Sequence, residues 1–166
     1  NPKAPTLTYE SISPVALRAY DATTPYFSQL KQKDILSHYP YHSYDCVLRF
    51  LQEAAEDPNV TSIKITLYRV AQNSQVAAQL MRAAGNGKQV TAFVEVKARF
   101  DEESNIRWAE EMEKAGVRVL YSIPNLKVHA KLCLVSRKSD GISGNETEEN
   151  AEERFVYLST GNFNES

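Results

Sequence analysis

The sequence has little of what would make it a secreted, metal-built or membrane-spanning protein. Only two cysteines occur in 166 residues, Cys46 and Cys133, and they form no C-x-x-C pair. That argues against a disulfide framework or a cysteine-built zinc site and fits a reducing compartment, so a cytoplasmic location is expected. No apolar run approaches the roughly 20 residues of a membrane-crossing helix, and no secretory signal pattern is visible. Neither sign of charge dominates, the formal net charge being -2. What is present, 42% hydrophobic and 24% charged residues, reads as one soluble globular domain. The chain starts without Met and stops inside a polar motif, "STGNFNES", so it is expected to be a piece of something longer.

The near-neutral total hides an asymmetry. Residues 138–153, "KSDGISGNETEENAEE", hold six acids against the single base Lys138, leaving 18 basic and 15 acidic residues elsewhere. Like charges, Gly141, Gly144 and few apolar residues predict a mobile, solvated acidic loop. The mildly basic remainder is compatible with an anionic substrate.

Periodicity supplies the elements. Residues 1–30, with Pro2, Pro5 and Pro14, read as a linker or the edge of a preceding domain, and 31–166 as the domain itself. Val47, Leu48, Leu51 and Ala55 have helical spacing, with Ser43 as N-cap and Asp57-Pro58 as the stop. "TSIKITLY" is a strand, and "SQVAAQLMRAAGNG" a helix facing inward with Val76, Leu80 and Ala84. "QVTAFVEV" is the next strand. "DEESNIRWAEEMEKAG" follows as a helix whose first-turn acids suit its dipole, with Ile106, Ala109 and Met112 inward and Gly116 closing it. "VRVLYS", "AKLCLVS" and "RFVYLST" complete five strands. The expected fold is α/β: a mixed, mostly parallel sheet of about five strands flanked by helices, ending in an antiparallel hairpin across the acidic loop.

That order puts chemistry at one edge. Arg69 follows the first strand, Arg99 the second and His129 the third, at equal intervals along the chain. Ligands of open α/β sheets bind beyond the carboxyl ends of the strands. Arginine is always charged and offers a planar fork of donors to phosphate oxygens. In "IPNLKVHAKLCLVS", alternation puts His129 and Lys131 on one face of an extended segment, an imidazole nucleophile beside an ammonium. The polar turn "STGNFNE" after the fifth strand would lie beside them, with Gly161 allowing close approach and Asn162 able to donate to an anion.

H-x-K on one strand with a Gly/Asn turn after the next resembles half of a phospholipase-D-type site, although Ser136 stands where that pattern usually has Asp. "HYPYHSY", "IKITLYRV", "NGKQVTAFVEVKARFDEE", "AGVRVLYSIPNLKVHAKL" and "STGNFNE" together resemble the polyphosphate kinase family, in the first of its two carboxyl-terminal, phospholipase-D-like catalytic domains. The likeness runs from about Lys33 to Ser166. It implies that His129 corresponds to the family's phosphorylated histidine, and that Arg69 and Arg99 correspond to residues assigned to magnesium and phosphate binding. Arginine has no lone pair to give a metal, so both are expected to grip phosphate oxygens that also carry Mg²⁺. Phe163 stands where the family commonly has Tyr as a nucleotide contact, which removes any hydroxyl bond but not one through ring or backbone.

The resemblance implies reversible transfer of the ATP γ-phosphate to inorganic polyphosphate through a phosphohistidine on His129. Lys131, Arg69, Arg99 and Asn162 would bind the phosphates, ATP or ADP would be substrate, and Mg²⁺ would be the cofactor. Expected partners are these phosphates and the remaining domains of a longer, homo-oligomeric enzyme, without nucleic acid; a cytoplasmic enzyme of this kind could also sit peripherally at the inner membrane face. The chain alone is expected to be inactive. Two other readings stand beside this one: a phospholipase-D-type phosphodiesterase, and a non-catalytic anion-binding module. His38, His42 and the tyrosines Tyr39, Tyr41 and Tyr44 suggest aromatic packing.

Overall fold

The computed structural model describes residues 12–95, 102–121, 123, 126–140 and 151–165. Four helices and five strands follow in the order α1 (Tyr26–Leu30), α2 (Asp45–Glu56), β1 (Val60–Leu67), α3 (Gln75–Gly85), β2 (Gln89–Val94), α4 (Glu102–Lys114), β3 (Arg118–Tyr121), β4 (Lys131–Lys138) and β5 (Glu152–Ser159). The strands form one mixed sheet in the order β3-β2-β1-β4-β5. β1 pairs with β2 and β2 with β3 in parallel, as helical crossovers require. β4 runs against both β1 and β5, so it alone is reversed. The start of β4 therefore lies at the same sheet edge as the ends of β1, β2, β3 and β5.

Alternation in β1 explains how the sheet is covered. Ile63, Ile65 and Leu67 are buried, whereas Thr61 and Lys64 are exposed. Against the buried face pack Val47, Phe50 and Leu51 of α2, Val76 and Leu80 of α3, and Trp108 and Met112 of α4, in one continuous core. The opposite face carries Lys64 in register with Leu134 and Val156, and Val156 is 52% exposed. The core also reaches upstream of residue 31: Leu17, Tyr26 and Phe27 belong to it, and the Phe27 ring lies 4.6 Å from that of Phe155.

Two local expectations are corrected. Tyr44, not Ser43, holds the cap position of α2 and has no side-chain cap bond, while the Ser43 hydroxyl, one residue earlier, accepts from the Asp45 N–H at 3.2 Å and donates to Asp45 Oδ2. A cap at Ser74 does form, its hydroxyl accepting from the Ala77 N–H at 3.1 Å. In α4, Ile106 is exposed, and the buried stripe is Asn105, Trp108, Ala109 and Met112. The helix is rotated so that a polar residue, Asn105, enters the interior, where its Nδ2 meets two backbone carbonyls while its Oδ1 has no partner among the described residues. Gly116 follows α4 at φ +90°, a conformation that favours glycine.

A buried clasp closes the end of the sheet remote from His129. Arg137, 8% exposed, donates from Nε to Asp57 Oδ2 at 2.7 Å, from Nη1 to Glu153 Oε2 at 2.9 Å, and from Nη2 to Asp140 Oδ1. Lys31 adds bonds to Asp140 at 3.0 Å and Glu153 at 2.7 Å. Residues 141–150, the centre of the expected acidic loop, lie outside the described residues, while its flanks are tied down by these ion pairs.

Candidate active site

The edge where β1 and β5 end and β4 begins gathers the candidate residues. Thr66 near the end of β1 donates from its hydroxyl to the Ala130 carbonyl at 2.6 Å, which fixes the approach of the chain to β4. His129 and Lys131 flank that carbonyl. His129 is exposed, whereas Lys131 is only 6% exposed. Both reach the ring of Tyr68, the first residue after β1. The imidazole meets it in a T-shaped contact with centroids 5.1 Å apart, and Lys131 Nζ lies 5.4 Å from its centroid. The Arg69 guanidinium carbon is 6.0 Å from the same ring.

Lys131 donates to the His129 carbonyl at 2.5 Å and has no carboxylate partner among the described residues. Its ammonium is a desolvated cation, and burial holds its pKa below the ordinary lysine value. The register Lys131↔Ser159 carries the turn Thr160–Asn162 past the start of β4, so the Gly/Asn turn stands beside H-x-K as the topology implied. The Gly161 N–H donates to Ser159 Oγ at 3.0 Å, and Asn162 has a buried Oδ1 without a partner among the described residues. Phe163 turns the other way. It is 2% exposed, its ring 5.1 Å from that of Tyr157 in the core, so only its backbone is left to meet a ligand. The next turn is anchored in its own right, Glu165 accepting from the N–H of Gln75 at the start of α3. Arg99 lies outside the described residues.

Sequence reasoning missed the residues that hold this edge together. Glu95, 1% exposed, follows β2; its Oε2 accepts from the Val128 N–H at 3.1 Å, directly ahead of the histidine. Asn105, fully buried, donates from Nδ2 to the carbonyls of Tyr68 at 2.9 Å and Glu95 at 3.0 Å, stitching the ends of β1 and β2. Trp108 Nε1 and Arg107 Nη2 donate to the Ala71 and Gln72 carbonyls at 2.9 and 3.2 Å, so α4 also tethers the loop that carries Arg69. The one available signal was a carboxylate ending an otherwise apolar strand, "QVTAFVEV". His38 and His42 pair with each other, the His38 backbone N–H donating to His42 Nδ1 at 2.9 Å, and the rings of Tyr39 and Tyr44 pack at a 60° tilt with centroids 5.2 Å apart.

An α/β domain that sets at strand ends an exposed imidazole, an ammonium without a carboxylate partner among the described residues, and a glycine-containing turn is suited to holding an anionic group. Comparison with known proteins gives that class a family. Residues 25–166 match the model of polyphosphate kinase C-terminal domain 1. The chain is 46% identical over 160 residues to the polyphosphate kinase of Exiguobacterium sibiricum, covering 96% of this chain and 21% of that protein. It is 47% identical over 139 residues to that of Escherichia coli K12, covering 84% of this chain and 19% of the relative. The crystal structure of polyphosphate kinase from Porphyromonas gingivalis superposes with a TM-score of 0.77 at 43% identity, covering all of this chain and 26% of that one. The chain belongs to the polyphosphate kinase family, and it spans about a fifth of the length of the curated relatives it matches.

Proposed function

We propose that this chain supplies the phosphate-accepting half of a polyphosphate kinase, with His129 as the nucleophile. The observation that carries the reading is the pairing of an exposed imidazole with a buried lysine that no described carboxylate neutralises. A ring nitrogen of neutral His129 attacks the γ-phosphorus of ATP. The N–P bond forms as the bond to the β,γ-bridging oxygen breaks, and its electron pair leaves with ADP. A terminal oxygen of polyphosphate then attacks the same phosphorus, and the P–N electrons return to the imidazole. Lys131 and Arg69 stabilise the charge on the transferring group, with Arg99 assigned the same task by position in the family motif. The loop after β1, held by α4, orients Arg69, and the turn at Asn162 offers a further donor.

Among the described residues no cluster of three His, Cys, Asp or Glu side chains could hold a metal ion. Arg69 has no lone pair to offer one. Mg²⁺ is accordingly assigned to the substrate, as Mg-ATP or Mg-polyphosphate, and no protein ligand is proposed for it. The described residues contain no helix long and apolar enough to cross a membrane.

The test is incubation of a full-length polyphosphate kinase carrying this sequence with γ-labelled ATP. Acid-labile, alkali-stable label should map to His129, and His129→Ala should abolish both label and polymer. Polymer synthesis by that variant, or label on a serine, would remove His129 from the role. The chain alone should bind phosphate or short polyphosphate but sustain no synthesis, since it spans only a fifth of its relatives.

A further inference from the structure

Tyr68 has contacts that its place in the sequence does not suggest. Its ring meets three functional candidates at once: His129 at 5.1 Å between centroids, Lys131 Nζ at 5.4 Å and the Arg69 guanidinium at 6.0 Å. Among the described residues no hydrogen bond reaches the His129 ring, and the Lys131 bond to this residue goes to its carbonyl, which cannot set the ring's rotation. The edge-on contact with Tyr68 is what limits the imidazole's orientation, in the geometry that aromatic pairs prefer. The Tyr68 backbone is held by buried Asn105, which donates to its carbonyl at 2.9 Å, and its ring lies against Lys131 and Arg69 as well as the imidazole.

The same ring solves an electrostatic difficulty. A buried ammonium needs a partner, yet a carboxylate there would cancel its charge and repel an incoming phosphate. An aromatic face attracts the cation without neutralising it. The Tyr68 hydroxyl makes no hydrogen bond among the described residues, so the ring and not the hydroxyl is engaged.

We infer that Tyr68 is a positioning residue for phosphoryl transfer: its aromatic ring orients the His129 imidazole and seats the Lys131 ammonium beside it with its charge intact. This rests on His129 being the phosphate acceptor. It assigns to the residue after β1 a part distinct from that of its neighbour Arg69.

The experiment compares Tyr68→Phe and Tyr68→Leu in a full-length polyphosphate kinase carrying this sequence, by single-turnover labelling from γ-labelled ATP with peptide mapping of the label. Tyr68→Phe should label His129 within about twofold of the wild-type rate, because it keeps the ring. Tyr68→Leu should label it about tenfold or more slowly at saturating ATP, with the ATP concentration for half-maximal rate unchanged, since a loss confined to the transferring step is a loss of positioning. Wild-type rates in Tyr68→Leu overturn the inference. So does a tenfold loss in Tyr68→Phe, which would make the hydroxyl the active part; this outcome decides the matter even if the leucine variant fails to fold. Wild-type label on a residue other than His129 instead overturns the proposed function, and the inference with it.

Discussion

The two ends of the sheet use the same kinds of side chain for opposite purposes. At one end Arg137 and Lys31 are each bonded to carboxylates, Arg137 to three of them, and both cations are neutralised within the protein. At the other end Lys131 is as deeply buried as Arg137, but its described partners are a carbonyl and an aromatic ring. Desolvating a cation is costly in either place. The clasp recovers that cost inside the fold, so it serves structure. At the His129 edge no carboxylate among the described residues cancels the Lys131 charge, which is what the proposed binding of a phosphate there requires.

This contrast predicts a crossing pattern of effects. The largest is at the site. Lys131→Met should lower phosphotransfer in the full-length enzyme by about 100-fold or more, the usual result of deleting one preorganised transition-state contact. Its stability to urea should be unchanged or raised, because a desolvated ammonium is removed. A variant that keeps its rate would place Lys131 with Arg137 among structural cations.

Arg137→Met is the mirror experiment. It takes the cation from Asp57, leaves Asp140 and Glu153 with Lys31 alone, and should destabilise the fold by about 3 kcal/mol, read from urea denaturation. The folded fraction should phosphorylate His129 at the normal rate. Loss of rate without loss of stability would mean that the two ends are not separate in function.

The clasp should also respond to acid. Hydrogen bonds from Arg137, then Lys31, hold the Asp140 pKa down from 3.8 to about 2. A carboxylate depressed in the folded state contributes stability that is complete above its unfolded pKa and is lost as pH falls toward the folded value. Unfolding free energy should therefore decline between about pH 4 and about pH 2, modestly because Asp140 is 36% exposed and screened. Asp140→Asn should flatten that decline; an unaltered acid limb would show that the clasp does not depend on this carboxylate.

The smallest effect separates scaffold from chemistry within the functional edge. Ser74→Ala removes the α3 cap and should cost about 1 kcal/mol of stability in thermal unfolding, with phosphotransfer unaltered. A larger loss of activity than of stability would extend the site to the start of α3.

Much of this was legible in the sequence, for a physical reason. Strand and helix periods are local, so β1 with Ile63, Ile65 and Leu67, and α3 with Val76 and Leu80, follow from the order of residues. Side-by-side parallel strands with intervening helices then put Arg69 and His129 at one edge. Local reasoning failed where a buried polar group outweighed an apolar one. Ile106 was expected inside, but Asn105 took the position because the Tyr68 and Glu95 carbonyls were there to receive it.

By itself the sequence determined the elements, their order and the kinds of group brought to the edge: an imidazole, an ammonium, a guanidinium and a glycine-containing turn. The tertiary structure alone decided which cation meets carboxylates and which, among the described residues, meets only a carbonyl and a ring. Arg137 and Lys131 lie on the same strand, six positions apart, and nothing local separates their roles. Their partners come from elsewhere in the chain, Asp57 following α2 and Tyr68 following β1, and only the pairing of β4 with β1 places a carboxylate beside one and a ring beside the other. Charge compensation is a matter of distance in space, and sequence separation does not record it.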